Sequence, residues 1–343
     1  MRALVLKDFG RCEVESRPDP NPGPGEVTLR IIATGICGSD IHGFTGRNGR
    51  RFPGQIMGHE SVGRIETLGE GASDFGLAIG DLATFNPLVI PEEDVVAFEG
   101  REQHSPRKWV IGVAPDYVAG FAQIVVVPAR NVVVLPSTTP PTLGALIEPL
   151  AVALHAVNRA SVRPGDHVLV VGGGPIGQCV AGAALRNGAA EVIVSELDEG
   201  RRALCERLGA KTLNPAGVAV TEEVRSAWPG LADVAIDAVG LSGTLRDALL
   251  ATKLGGTVCL VGMGSPELQL DPYRISTDER NLVGSFAYSS SEFRDAAQWV
   301  ANGEFDVSAL ISREVPLQDA NEAFVGLAQM DGTAGKVLVR LDQ

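Results

Sequence analysis

Residues 168–177 read Val-Leu-Val-Val-Gly-Gly-Gly-Pro-Ile-Gly, and this stretch decides the fold of a large part of the chain. Four consecutive apolar residues predict a strand that is buried on both faces, and the pattern G-x-G-x-x-G follows it directly. The first glycine of that pattern makes a tight turn, the second lets the backbone approach a pyrophosphate, and the third lets the next helix pack on the strand. The start of that helix favours phosphate. The predicted phosphate-binding residues are Gly172, Gly174, Pro175, Ile176 and Gly177.

Strands alternate with helices from residue 163 to residue 286, which predicts a doubly wound parallel sheet of the Rossmann type. The strand after the glycines ends in Glu196, where a carboxylate can bind the ribose hydroxyls and repel a 2′-phosphate. This position favours NAD over NADP. Arg201 could hydrogen-bond the ribose, although Arg201 and Arg202 could equally reach a phosphate or lie on a solvated helix face. Val261, at the end of a later strand, completes the predicted cofactor set.

Short β-type runs broken by Gly and Pro occupy residues 1–136 and predict a small barrel or sandwich. Cys37, His59 and Glu60 lie within this part, and thiolate, imidazole and carboxylate are the ligand types that zinc accepts. A single Cys in an apolar context is more often a small buried hydrophobic residue. Only the combination of the three favours a catalytic metal site.

Two motifs carry a resemblance to a known family. The run from Gly58 to Gly63, followed by Gly69, resembles the signature of the zinc-containing alcohol and polyol dehydrogenases of the medium-chain dehydrogenase/reductase superfamily. Residues 37–42, Cys-Gly-Ser-Asp-Ile-His, resemble the first-ligand motif of that family. The resemblance implies a partly open, GroES-like β-barrel catalytic domain at 1–149 and 287–343, and a Rossmann domain at 150–286.

The same resemblance implies roles for individual residues. Cys37 and His59 would be zinc ligands, Glu60 would be a ligand in some states, and Glu148 would stand at the fourth position of the polyol-dehydrogenase branch. Glu148 could also simply be an acidic residue at a helix N-terminus. Ser39 would pass the alcohol proton outward, and His42 would be the terminal base of that relay. Zinc would act as a Lewis acid on the substrate oxygen.

One departure from the family concerns a second, structural zinc, which many members bind through four closely spaced cysteines. The corresponding segment, residues 85–121, contains no cysteine. We therefore predict one catalytic zinc per subunit and no structural zinc. The loop 87–115 is expected to pack on Phe98 and Trp109 instead, and to take part in subunit contacts of a homodimer or homotetramer.

Composition excludes several classes of protein. The formal net charge of −13 argues against binding to nucleic acid, which requires a basic face. No signal peptide and no stretch long enough to cross a bilayer is recognisable, so a cytoplasmic location is expected. Five scattered cysteines make a disulfide framework improbable, and all except Cys37 fit structural positions in helices or strands.

The sequence thus predicts a zinc-dependent oxidoreductase that transfers a hydride between NAD and a secondary alcohol of a polyol or sugar derivative. The alternatives are a carbonyl reductase that uses NADPH, a threonine 3-dehydrogenase-like enzyme, and a non-catalytic protein that has kept the nucleotide fold. Arg47, Arg50 and Arg51 could bind an anionic group of the substrate, but a solvated loop explains them better.

Overall fold

The computed structural model describes residues 1–47, 49–304 and 306–343. Chain contacts divide it into two compact units: Met1–Glu148 with Ser289–Gln343, and Pro149–Tyr288. None of the described helices is both long and apolar enough to pass through a membrane.

The strands, numbered along the chain, are β1 (Arg2–Asp8), β2 (Arg11–Ser16), β3 (Glu26–Gly35), β4 (Glu60–Leu68), β5 (Leu82–Phe85), β6 (Leu88–Val89), β7 (Trp109–Val110), β8 (Ile124–Pro128), β9 (Val132–Val134), β10 (His167–Val171), β11 (Glu191–Ser195), β12 (Lys211–Leu213), β13 (Ala232–Asp237), β14 (Thr252–Leu260), β15 (Asn281–Gly284), β16 (Ile311–Pro316) and β17 (Lys336–Arg340).

The helices are α1 (Gly38–Phe44), α2 (Glu92–Val95), α3 (Ile147–Arg159), α4 (Pro175–Arg186), α5 (Glu199–Arg207), α6 (Val220–Ala227), α7 (Ser242–Ala251), α8 (Tyr273–Ser276), α9 (Ser290–Ala301) and α10 (Ala320–Ala328). Ser289 caps α9, and Glu292 completes the capping box.

The first unit is built on a seven-stranded sheet with the order β16-β17-β3-β4-β5-β9, in which β8 also pairs with β3. All of its pairs are antiparallel except β16 with β17. Its core is formed by inward-facing aliphatic and aromatic side chains, among which Phe44 and Phe121 both pack on Phe324 of α10. The long central strand β3 thus carries neighbours from both ends of the sequence.

The second unit is a parallel sheet of six strands in the order β12-β11-β10-β13-β14-β15. Relabelled within the unit this is 3-2-1-4-5-6, the Rossmann order. Continuous apolar strands follow from burial on both faces, and Val168, Leu169 and Val170 of β10 are all fully buried. Both the α/β class and the Rossmann sheet are therefore confirmed. The chain reverses its strand order at β10, and ligands of such sheets bind at that point.

Candidate active site

The strand register of the first unit brings distant residues together. Gly35, at the end of β3, is paired with Glu60 on one side and with Leu338 on the other. A Cβ atom at Gly35 would lie 2.2 Å from Oε2 of Glu60, so only glycine leaves room for this carboxylate. The chain then turns out of the sheet, and Cys37 immediately precedes α1.

Cys37, His59 and Glu60 meet at this point. One ligand atom from each lies within 4.8 Å of the others. Glu60 is fully buried, His59 is 6% exposed, and Cys37 is partly exposed. Within the described residues, Oε2 of Glu60 and Nδ1 of His59 are buried and make no hydrogen bond. Buried polar atoms normally have partners, and a thiol, an imidazole and a carboxylate at this spacing fit a zinc ion.

Charges around the cluster are strongly coupled. Burial by itself would lower the pKa of His59, but the negative charges of Asp40 and Cys37, a hydrogen bond to Cys37 and the charge of Glu148 raise it to about 10 in the metal-free chain. Glu148 therefore lies near enough to act on His59. It is 9% exposed and stands in the first turn of α3, which begins one residue earlier, at Ile147.

Ser39 and His42 lie three residues apart on α1, so they share one side of the helix. Both are partly buried. The helix that follows Cys37, one of the three clustered residues, thus carries both predicted relay residues.

Three residues of the site were not predicted from the sequence. Lys336 is 3% exposed, and its Nζ forms an ion pair with Oε1 of Glu60. Asp40, which is fully buried, accepts a hydrogen bond from the N–H of Cys37 at 3.1 Å, and its other oxygen is 3.6 Å from Nδ1 of His59. Arg51 lies 3.5 Å from that second oxygen.

The position of Arg51 corrects one interpretation of the sequence. Neither a solvated loop nor an anion clamp describes this residue, because its side chain is only 1% exposed. Arg47 and Arg50 are exposed, as a loop predicts. The three arginines lie in one short stretch that is rich in Gly and Arg, and the sequence alone does not predict which of them is buried.

The glycine turn of the second unit has the geometry that the motif predicts. A Cβ atom at Gly177 would lie 1.8 Å from the carbonyl oxygen of Gly172, whose own φ is +96°. At Gly174, the N-cap of α4, an added Cβ would meet nothing within 4 Å. Pro175 and Ile176 form the first turn of α4. The turn is therefore closed on the sheet side and open at the helix N-terminus, where a phosphate would bind.

Glu196 follows β11 and faces this turn. Its Oε2 accepts a hydrogen bond from the N–H of Gly173 at 2.7 Å, and Oε1 accepts one from Asp198 at 2.8 Å. Arg202 donates to the carbonyl oxygens of residues 196 and 197, whereas Arg201 is partly buried in the first turns of α5. Val261 follows β14, and its N–H donates to the carbonyl oxygen of Asp237.

The segment without cysteines has an internal structure of its own. Strands β6 and β7 pair across it, and Arg107 forms ion pairs with Asp94 and Glu93. Ser105 also donates to Asp94 at 2.6 Å. Trp109 packs on Tyr117, with 4.7 Å between ring centroids, while Phe98 lies under Arg101. This network ties together the two ends of the loop.

Two family models match the chain. Residues 23–137 match the alcohol dehydrogenase GroES-like domain, and residues 175–302 match the zinc-binding dehydrogenase domain. A sorbitol dehydrogenase from Ovis aries is 32% identical over 99% of this chain and 96% of its own. The chain belongs to the zinc-binding alcohol dehydrogenase family.

Two further relatives of this dehydrogenase agree with that assignment. D-xylulose reductase A from Aspergillus niger is 32% identical, with 94% of this chain and 92% of the relative covered. The crystal structure of a zinc-binding dehydrogenase from Sinorhizobium meliloti 1021, bound to NADP, is 31% identical and has a TM-score of 0.90 over 99% of this chain and 98% of its own. The predicted family, its GroES-like domain and its enzymatic class are confirmed.

Proposed function

We propose that this dehydrogenase oxidises a secondary hydroxyl group of a polyol or sugar derivative, with one zinc ion per chain and NAD as the hydride acceptor. The observation that carries the proposal is the cluster of Cys37, His59 and Glu60, in which one ligand atom of each lies within 4.8 Å of the others. The names of the relatives, a sorbitol dehydrogenase and a D-xylulose reductase, support the substrate class.

The reaction removes a proton from oxygen and a hydride from carbon. When bound, zinc supplies a Lewis acid for the substrate oxygen, and oxidised nicotinamide supplies the acceptor for the hydride. Cys37 and His59 would hold the metal. Glu60 and Glu148 would add two carboxylates to the site. Together with the thiolate they carry three negative charges, of which a divalent ion would balance two, and Lys336, which pairs with Glu60, offsets the third.

The proton leaves through side chains of α1. As Oγ of Ser39 accepts the proton from the substrate oxygen, Ser39 gives its own hydroxyl proton to His42, and His42 then releases a proton to water. The two ring nitrogens of an imidazole can accept one proton and release another, which suits the last group of such a relay. Replacing His42 with Gln should lower kcat by about 10²-fold, the lower end for general acid–base groups, with little change in KM.

The preference for NAD rests on Glu196. Its carboxylate lies beside the N–H of Gly173 and would repel a 2′-phosphate. Nη1 of Arg202 already donates to two backbone carbonyl oxygens, which leaves fewer of its N–H groups for a 2′-phosphate. The S. meliloti relative binds NADP, and the two cofactors must therefore be compared directly. Replacing Glu196 with Ser should reduce the ratio of kcat/KM for NAD to that for NADP.

The deciding experiment is a panel of polyols, sugar alcohols and sugar phosphates, each assayed with NAD and with NADP by the absorbance of the reduced nicotinamide. Metal analysis before and after chelation accompanies it. Cys37→Ala should lose both zinc and activity, whereas Cys12→Ala, which removes a buried thiol in β2, should keep both. Full activity in thoroughly chelated protein would contradict the proposal.

A further inference from the structure

Arg51 is the most unusual charged residue of the first unit. Its guanidinium group is buried, although its described neighbours Gly49, Arg50 and Phe52 are exposed. Burying a charge is costly unless it is paired. Its Nη1 donates weakly to the carbonyl oxygen of Arg50 at 3.4 Å, and its Nη2 lies 3.5 Å from Oδ1 of Asp40. Among the described residues, its Nε and Nη2 atoms make no hydrogen bond.

Asp40 links Arg51 to both predicted metal ligands. The Oδ1 atom that faces Arg51 also faces Nδ1 of His59 at 3.6 Å, which is slightly longer than a hydrogen bond. The Oδ2 atom accepts the N–H of Cys37. One buried carboxylate therefore faces the predicted histidine ligand and the backbone of the predicted cysteine ligand, and Arg51 lies 3.5 Å from the same oxygen that faces the histidine.

The helix that carries Asp40 is shaped to admit Arg51. A Cβ atom at Gly43 would lie 2.1 Å from Cγ of Arg51 and 2.8 Å from its Cβ. Glycine inside a helix is less stable than alanine. Gly43 lies within α1, and the absence of a side chain at this position leaves the space in which Arg51 packs against the helix.

We propose that Arg51 is a positioning residue for the metal centre. It fixes the carboxylate of Asp40, which in turn orients the imidazole of His59 and the backbone that leads into Cys37. This inference rests on the proposed function, because it assumes that Cys37 and His59 bind zinc. Groups behind a metal ligand typically contribute 10- to 100-fold to metal affinity, and Arg51 acts through one such group.

The test uses three full-length variants. Arg51→Met keeps the length of the side chain and removes its charge, Arg51→Lys keeps a charge, and Arg47→Met is the matched control on the same loop, at an exposed position. Zinc affinity is measured by competition with a chromophoric chelator. Visible absorption spectra of the cobalt-substituted proteins report ligand geometry independently of activity, and far-UV circular dichroism with thermal midpoints reports folding.

Arg51→Met should bind zinc about 10-fold more weakly and shift the cobalt absorption bands, with kcat reduced more than KM is raised. Arg51→Lys should recover much of the affinity, and Arg47→Met should match the wild type. A folded Arg51→Met protein with wild-type zinc affinity and cobalt spectrum would overturn the inference. If the wild type itself bound no zinc through Cys37 and His59, the proposed function would fail instead.

Arg51→Met could fail to fold because it leaves Asp40 buried without its cation. In that case Gly43→Ala provides the test, since it displaces Arg51 without removing its charge. Weaker zinc binding and altered cobalt bands in a folded Gly43→Ala protein support the inference. Unchanged binding and an unchanged spectrum overturn it.

Discussion

The ion pair between Lys336 and Glu60 gives the strongest prediction about stability. Their side chains are 3% and 0% exposed, and Oε2 of Glu60 has no hydrogen bond among the described residues. The carboxylate therefore depends on Lys336. Replacing Lys336 with Met keeps much of the side-chain volume but leaves a buried negative charge without its partner. Breaking a buried pair in this way costs about 3–5 kcal/mol.

Lys7→Met is the matched control, because it makes the same chemical change in the same unit. Lys7 pairs with Glu15 at 2.5 Å, but the two side chains are 36% and 25% exposed. Such exposed pairs contribute about 0–1 kcal/mol. The difference between the two variants thus isolates the effect of burial.

The assay is urea unfolding of chelated protein, followed by intrinsic fluorescence and by far-UV circular dichroism. Because the chain has two units, the midpoint and slope of each resolved transition must be compared, rather than a single free energy of unfolding. The double variant Glu60→Gln with Lys336→Met removes both charges and should recover most of the lost stability. With zinc bound, the Lys336→Met variant should lose less, since the ion provides Glu60 with another positive charge.

Two results would refute this reasoning. One is a Lys336→Met protein that is no less stable than Lys7→Met when both are chelated. The other is a double variant that is as unstable as the sum of its single changes, which would mean that the two residues are not coupled.

Gly35→Ala should lose zinc and activity, because the added methyl group would lie 2.2 Å from the carboxylate of Glu60. Gly38→Ala should retain the metal, because the methyl group added there would have no other atom within 4 Å. In Gly177→Ala the methyl group would lie 1.8 Å from the carbonyl oxygen of Gly172, so fluorescence titration with NADH should show at least about tenfold weaker binding, roughly 1.4 kcal/mol, with zinc content unchanged. Chelation should abolish turnover but leave NADH binding intact, and recovery on adding zinc would show that the loss was not caused by unfolding.

Much of this architecture could be predicted from the sequence because its signals are local. The apolar strand before Gly172 and the helix after it lie within a single stretch of chain. His59 and Glu60 are adjacent, and Cys37 belongs to a short motif. The structure brings these motifs together because Gly35 and Glu60 are partners in the ladder between β3 and β4. The residue pattern of each motif therefore predicted its chemistry before the register was known.

Lys336 could not be found in the same way. It lies 276 residues from Glu60, and a lysine at the first position of a strand is most often solvated. Its burial follows from the pairing of β17 with β3, which no local pattern reveals. The burial of Arg51 could not be predicted for a related reason. It depends on the space that Gly43 leaves beside it, and the local sequence does not distinguish Arg51 from Arg47 and Arg50.

The wide separation of Lys336 and Glu60 has a consequence for folding. Lys336 is the first residue of β17, the last strand, which pairs with β3. Glu60 therefore cannot be buried together with Lys336 until β17 has joined the sheet. Before that step the carboxylate would have to stay hydrated or bind a cation from solution. A chain that ends before residue 336 should therefore neither complete the sheet nor bury this carboxylate, even though Cys37, His59 and Glu60 are all present. Cys37, His59 and Glu60 thus all lie within the first 60 residues, but the surroundings that bury and pair Glu60 are completed only by the last strand.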